Sequence, residues 1–397
     1  MTITRPSAGM AWLGHSLVMT KGGRMPSIDE LVQRSVTLKR ELLDYARKPR
    51  FDRAFRQEIR ARFGRVVVVE DEGELSNFFD WFIQQHRLHD GRTVVDLFVE
   101  AHPELPDTER EFLLGWRDVR EGVFEVTGRD GPVLHTVNLI DDLPYRIRTN
   151  TDEPIFDRMP PGSFIGSRIV PVHDDWLLSG TTALYSAHDQ ASAYSSAIRL
   201  AADQPALVFR NPQRLARAWE LQRAQHAAFV AHFGSDEVTL GVDELDKAMR
   251  GYWDTYSSEP GTAPSTDLDW LDDTVETIGV IYDQQTGLGM YADYALAQQA
   301  FADPDLMRRR RHKEIVKAYL HDDTVDPVPL QRLAARHPDN VDRVLRAATG
   351  KPAFTWHEHG EQLLRKHKAD WYASSHLPRL TVLSDRLAAH LRAGLQE

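Results

Sequence analysis

Apolar positions fall at helical spacing in the first part of the chain, at strand spacing in a middle segment, and at helical spacing again afterwards. Ser27 stands three residues before Glu30, ahead of apolar positions at Ile28, Leu31, Val32, Val36, Leu38 and Leu42. A Ser and a Glu so placed can each satisfy a free N–H of the first turn, so a helix is predicted from about Ser27 to Arg47. Pro49 interrupts it. Phe51, Phe55, Ile59 and Phe63, four apart, predict a second helix that stops at Gly64. The run RVVVVE that follows reads as a strand or a buried segment. Phe78, Phe79, Trp81 and Phe82 are spaced as core residues of a further helix. Asp90-Gly91 marks a turn, Thr93 to His102 reads as a short helix, and Asp107 is placed to cap another with Phe112, Leu113 and Trp116 on its buried side.

From Gly122 the pattern changes to short β-type runs separated by turns: VFEV, PVLHTVNL, YRIRT, SFIGSRIVPV and WLLSGTTALY. Such a succession predicts a small antiparallel β-barrel or bent sheet over about 122–185. After Tyr185 the chain reads as helical almost to its end. Asn211 and Pro212 open a helix that Gly234 closes. Another carries Leu245, Met249, Tyr252, Trp253 and Tyr256. Ser257–Asp267, SSEPGTAPSTD, is the clearest linker. Beyond it come short helices broken at Asp303-Pro304, Pro327, Pro329, His337-Pro338 and Gly350. Thr355 and Glu358 form a second capping-box spelling, and a last helix runs to about Leu395. The fold class expected is α+β, predominantly helical. The expected divisions are 1–66, 67–121, 122–186, 187–256, the linker 257–267, and 268–397.

Composition narrows the function more than the fold. A chain of 397 residues with 42% apolar positions can build a core without staples. It has no cysteine, which excludes disulfides, thiolate zinc sites and cysteine nucleophiles. No apolar run reaches the roughly 20 residues of a membrane helix, so no membrane partner is expected and a cytoplasmic location is. The net charge of −11 disfavours nucleic-acid binding over the whole surface but leaves room for a local basic face.

Such faces exist. Between Arg47 and Arg65 there are eight basic and two acidic residues. Arg50, Arg53, Arg56, Arg60, Arg62 and Arg65 lie opposite the Phe51/Phe55/Ile59/Phe63 stripe, which would turn them toward solvent. A second basic segment is Arg308, Arg309, Arg310, Arg311, His312 and Lys313. Arg53, Arg56, Arg60, Arg308, Arg309 and Arg310 are therefore the candidate partner-binding residues, for an acidic protein surface or nucleic acid.

Enzymatic signatures are weaker. DDTVE (Asp272, Asp273, Glu276) and DDTVD (Asp322, Asp323, Asp326) match the DDxxD spelling by which isoprenoid synthases hold magnesium. Asp326 precedes Pro327, which disfavours helix there, and Asp322 and Asp323 suit the end of a helix. His357 and Glu361, four apart, have a workable chelating spacing, with His359, His367 and His376 nearby in sequence. A metal-dependent phosphoester hydrolase using Asp322, Asp323, His357 or Glu361 is the alternative function. Gly287–Tyr291 contains a Gly-x-Gly without a third glycine, and neither a phosphate loop nor a nucleophile elbow is spelled. The expectation is a non-catalytic binding or adaptor protein that needs no cofactor, with an unidentified protein partner.

Two further stretches carry a resemblance. One is DWFIQQHRLHDGRTVVDLFVEAHPELPDTEREFLLGWRDVREGVFEV, continued by PPGSFIGSRIVPVHDDWLLSG. The other is YLHDDTVDPVPLQRLAARHPDNVDRVLRAATGKPAFTWHEHGEQLLRKHKADWY. Together they resemble uncharacterised bacterial proteins, many of which end in a cysteine-rich SEC-C zinc-binding motif. The resemblance implies a shared helical and small-barrel scaffold. It implies no zinc here, because the cysteines are absent, and no activity.

Overall fold

The computed structural model describes residues 26–64, 72–151, 155–256, 271–272, 274–374 and 376–394. The RVVVVE run, Arg65, the Ser257–Asp267 linker, Asp273 and Leu395 lie outside them.

The first helix, α1 (Ile28–Ala46), starts at the predicted capping box: Ser27 Oγ accepts from Glu30 N–H at 3.2 Å, and the Glu30 carboxylate accepts from Ser27 N–H at 2.6 Å. Pro49 opens a 3-10 turn, Pro49–Phe51, before α2 (Asp52–Phe63). Then come α3 (Glu72–Gln84), α4 (Val94–Ala101) and α5 (Asp107–Gly115). Thr93 and Asp96 form a capping box on α4. Asp107 is the first residue of α5, behind Pro106 at the cap, so it serves the helix N-terminus by its charge and not as the cap residue. One apolar cluster joins Leu38, Leu42, Phe51, Phe82, Phe98 and Trp116 to Val170 and Leu177 of the following sheet.

That sheet is built from β1 (Arg120–Asp130), β2 (Val133–Asn138), β3 (Pro144–Arg148), β4 (Phe164–Val172) and β5 (Asp175–Tyr185). It closes on itself in the order β1-β2-β3-β5-β4. The helix-dominated α+β class stands. The sheet is mixed, however, and not purely antiparallel: β3 runs parallel to β5, where Ile147 and Arg148 face Trp176 and Leu177. Closure there is reinforced by the buried Asp175 carboxylate, which accepts from Arg146 Nε and Arg148 Nε at 2.6 Å each. Arg148 also reaches Asp29 at 2.8 Å, fixing the start of α1 to the sheet. Gly180 has φ +74°, and a Cβ there would meet Asn77 Oδ1 at 2.4 Å. This glycine lets α3 lie on β5, where Asn77 Oδ1 accepts Thr181 N–H at 2.8 Å.

Helices α6 (Gln190–Asp203) and α7 (Pro212–Phe233) follow. Asn211 caps α7 and Gly234 ends it in the left-handed conformation, both as predicted. The chain is then not helical to its end. A second sheet, β6 (Glu237–Gly241), β7 (Thr277–Asp283) and β8 (Gly287–Ala292), pairs antiparallel in that order, with α8 (Val242–Tyr256) between β6 and β7. Here the Gly-x-Gly of Gly287–Tyr291 is part of a strand. Gly279 is needed because Tyr294 lies over it: a Cβ would meet the ring at 2.4 Å.

The remaining helices are α9 (Tyr294–Ala302), α10 (Arg310–His321), α11 (Val328–Arg336), α12 (Val341–Thr349), α13 (Trp356–His367), α14 (Ala369–Ala373) and α15 (Asp385–Gly394). Thr355 does not form the predicted box: its hydroxyl donates to Glu358 at 2.8 Å, and its side chain takes no backbone N–H of α13. The last helix returns to the middle of the molecule. Leu387 is buried with Ala193, Ala197 and Phe164, and Arg386 pairs with Glu125 of β1.

Candidate functional site

Helix α2 is amphipathic in the sense its sequence predicts. Phe55 is clasped by Phe78, Phe79 and Phe82 of α3, with ring centroids 5.6, 5.3 and 5.2 Å away. Phe63 meets Phe78 at 5.4 Å. These rings hold α2 to the core along one edge, and Arg53, Arg56 and Arg60 are exposed on the other; Arg62 is exposed too, but seven residues after Phe55 it falls on the ring side. Arg56 pairs with Asp52 one turn back, at 3.2 Å. Among the described residues Arg53 and Arg60 have no carboxylate within ion-pair distance. Spacing of three and four residues puts Arg53, Arg56 and Arg60 in one row about 10 Å long at 1.5 Å of rise per residue.

The second basic segment has more carboxylates of its own chain within reach, although Arg308 and Arg310 remain exposed. Arg308 pairs with Asp305 at 3.4 Å and Arg310 with Glu314 at 2.7 Å. Arg311 donates to Glu276 at 2.8 Å and to the Thr274 carbonyl at 2.7 Å, and lies 3.4 Å from Asp293. His312 is buried against Gln299. Arg309 is exposed at the N-cap position of α10. Three arginines of this run are therefore matched by carboxylates: Arg308 and Arg310 by neighbours in their own segment, and Arg311 by groups next to β7 and β8, which secures α10 to that sheet.

The acidic spellings become turns. Asp272 accepts Thr274 N–H at 2.9 Å, and Asp322 accepts the N–H and hydroxyl of Thr324 at 3.0 and 2.7 Å. Each carboxyl is held below its ordinary range by these hydrogen bonds. Asp326 is drawn inward, where it accepts from Tyr291 Oη at 3.0 Å and from Val328 N–H at 2.9 Å. Burial raises its pKa against those bonds. Glu361 is held by Arg365 at 2.9 Å, one turn on and away from His357. His367 faces His321, Nδ1 to Nδ1 at 3.3 Å, and not the other histidines named from the sequence. Among the described residues no three Asp, Glu or His side chains converge in a metal-binding arrangement.

Two features escaped sequence reasoning. Lys368 is 2% exposed and donates to the Asp322 carbonyl, which closes the turn after α10. Burial pulls its pKa down, and Asp322, Asp326 and Asp323 pull it back up. Nothing local in the sequence marks a lysine at a helix end as buried. The other feature is a groove of about 590 Å³ between α1 and the α4–α5 corner, lined in part by Glu41, Asp44, Tyr45, His102 and Glu109. In the sequence it is signalled only by the charged residues between the apolar positions of α1, such as Arg34, Glu41 and Asp44.

Comparison with known proteins bears on this half of the molecule. Residues 29–226 match a family of unknown function (DUF7986). The matched span runs from the start of α1 into α7, and so contains α2, the groove and the closed sheet. It also contains the first of the two stretches that carry the SEC-C-associated resemblance, while the second lies outside it. No curated protein and no solved structure matches the chain. Among the described residues no helix is long and apolar enough to cross a membrane.

Proposed function

We propose that this protein is a non-catalytic, cytoplasmic binding or adaptor module that takes an acidic segment of a partner protein on the exposed face of α2. The observation that carries the reading is the division of α2: its rings are committed to α3, and Arg53, Arg56 and Arg60 stand in a row on the other side. A guanidinium row of that kind suits carboxylates presented along a strand or helix, because each group can accept bidentate hydrogen bonds.

An acidic protein segment fits better than single-stranded nucleic acid. Binding of single strands uses aromatic faces beside the cations to stack bases. The rings nearest this row, Phe55 and Phe63, are packed against α3. The hydrolase alternative draws no support from Asp322 and Glu361, whose carboxylates are held by Thr324 and Arg365. The closed sheet and the helices around it serve, on this reading, as the rigid scaffold that presents α2.

The test is a titration of a labelled Asp/Glu-rich peptide and, separately, of single-stranded oligonucleotide against the wild type and the Arg53→Ala/Arg56→Ala/Arg60→Ala protein. Peptide binding that falls with salt and with the triple substitution is expected. Binding of oligonucleotide alone would replace the partner class, and binding of neither would remove the proposal.

A further inference from the structure

A second surface lies beside α2 with the opposite charge. The groove between α1 and the α4–α5 corner has a ring floor. Tyr45 meets Phe98 edge-on at 5.3 Å, and His102 lies 4.4 Å from Phe98. Tyr45 Oη donates to the Leu97 carbonyl at 2.5 Å, which fixes the ring's plane. Four carboxylates stand around this floor: Glu41 and Glu109 share Arg34 at 3.5 and 3.0 Å, Asp44 meets Arg47 at 3.3 Å, and Glu104 lies 2.7 Å from His102 Nδ1, with Lys48 beside them.

Three details say what the groove selects. Lys48 Nζ stands 4.2 Å from the centre of the Tyr45 ring, and the Arg50 guanidinium 4.5 Å from it. The ring therefore already attracts cations from its own chain. Glu109 is half-satisfied: Oε1 accepts Arg34 Nε at 3.0 Å, while Oε2 is buried with no donor. A buried carboxylate oxygen without a donor is costly, so Glu109 keeps unused acceptor capacity beside the groove. Finally, the volume of about 590 Å³ takes a side-chain head and its alkyl stem with room to spare.

We infer that this groove receives a guanidinium or ammonium group carried on a partner peptide, with its stem on the Tyr45–Phe98 floor and its head among Glu41, Glu104 and Glu109. Lys48 occupies the ring face in the empty state and is displaced or shifted when the cation enters. The site is independent of the arginine row on α2: it has the opposite charge, and its carboxylates lie on α1, α5 and the corner before α5.

The full-length protein tests this by fluorescence anisotropy at low salt. The probes are a labelled glycine-flanked peptide with two arginines, the same peptide with both arginines replaced by citrulline, and free arginine amide as competitor. The arginine peptide is expected to bind and the citrulline peptide not to. Glu41→Gln/Glu104→Gln changes two exposed side chains and is expected to weaken binding about fivefold or more, in line with the worth of two such charges. Lys48→Met removes the one of the ring's two cations that lines the groove and is expected to tighten binding about twofold to fivefold. Arg53→Ala/Arg56→Ala/Arg60→Ala is expected to leave it unchanged, so failure here and failure of the α2 proposal are read separately. Equal binding of the citrulline peptide, or affinity untouched by Glu41→Gln/Glu104→Gln in a variant with an unaltered melting curve, would overturn the inference. Free arginine amide binding as tightly as the peptide would overturn its peptide part.

Discussion

In α2, Arg53, Arg56 and Arg60 stand in a row on the exposed side of a helix whose rings are locked to α3, and Asp52 is the carboxylate that meets one of them. In the run that opens α10, Arg308, Arg310 and Arg311 each have a carboxylate, on Asp305, Glu314 and Glu276. The run opening α10 is the denser in arginine, four in Arg308–Lys313 against four in Asp52–Phe63. One leaves Arg53 and Arg60 without a carboxylate among the described residues, and the other matches three of its arginines, with Arg311 joining α10 to the β6–β8 sheet. Arginine count therefore does not mark a binding surface. What separates the two is the placement of carboxylates: α2 has few nearby, while α10 carries Glu314 on its own next turn and packs beside Glu276 and Asp293.

That contrast can be broken from either side. The largest effect is expected at the hinge of the α2 arrangement. Phe55→Ala removes the ring clasped by Phe78, Phe79 and Phe82, and should lower the unfolding free energy by about 2 to 3 kcal/mol, a partly buried Phe falling toward the low end for ring deletions. Chemical denaturation would measure it, and acidic-peptide binding should weaken with it as α2 loosens. Unchanged stability would mean that the rings do not hold α2.

A smaller loss is expected from Arg311→Ala, which frees Glu276, the Thr274 carbonyl and Asp293 at once. Its melting temperature should fall, by less than in Phe55→Ala because the guanidinium is solvent-exposed and screened. Arg53→Ala should leave the melting temperature unchanged. Equal shifts for the two would erase the distinction between a structural and an available arginine.

The smallest effect concerns a carboxylate next to α10. Burial raises the Asp326 pKa in the folded protein above its unfolded value. The folded state then keeps a proton that the unfolded chain releases. This part of the stability is fully present below the unfolded carboxylate pKa and is lost as pH rises through the folded value. Stability measured against pH should show that decline in the wild type and lack this component in Asp326→Asn. An unchanged profile would place the Asp326 charge in water, against its hydrogen bonds to Tyr291 and Val328.

Much of the fold was legible where local chemistry decides it. The Ser27/Glu30 box, the Asn211-Pro212 start, the Gly234 stop and the five strands after Gly122 all depend on neighbours in sequence. The second sheet was not legible. Its strands β6 and β7 are 36 residues apart at their closest ends, Gly241 and Thr277; Glu237–Gly241 alternates over only five residues, and Thr277–Asp283 does not alternate. β8 was hidden for a related reason: Gly287 and Gly289 suggest a loop until Arg379 and Tyr291 are seen to pack where their side chains would stand. At the candidate sites the sequence located the α2 row, since the Phe stripe fixes which way the arginines face. It could not tell that row from Arg308–Lys313, because the carboxylates that neutralise Arg311 come from Glu276 and Asp293, on other elements. Nor could it pair His367 with His321, which meet only when α13 packs beside α10.

The central claim is that the α2 arginines are available to a partner and those at the start of α10 are not. Titrating one labelled acidic peptide against three proteins tests it directly: the wild type, Arg53→Ala/Arg56→Ala/Arg60→Ala, and Arg308→Ala/Arg309→Ala/Arg310→Ala. The expected result is a loss of affinity of about tenfold in the first variant, from two or three exposed ion pairs at up to about 1 kcal/mol each, and wild-type affinity in the second. Equal losses in both, or a loss confined to the second, would contradict the account.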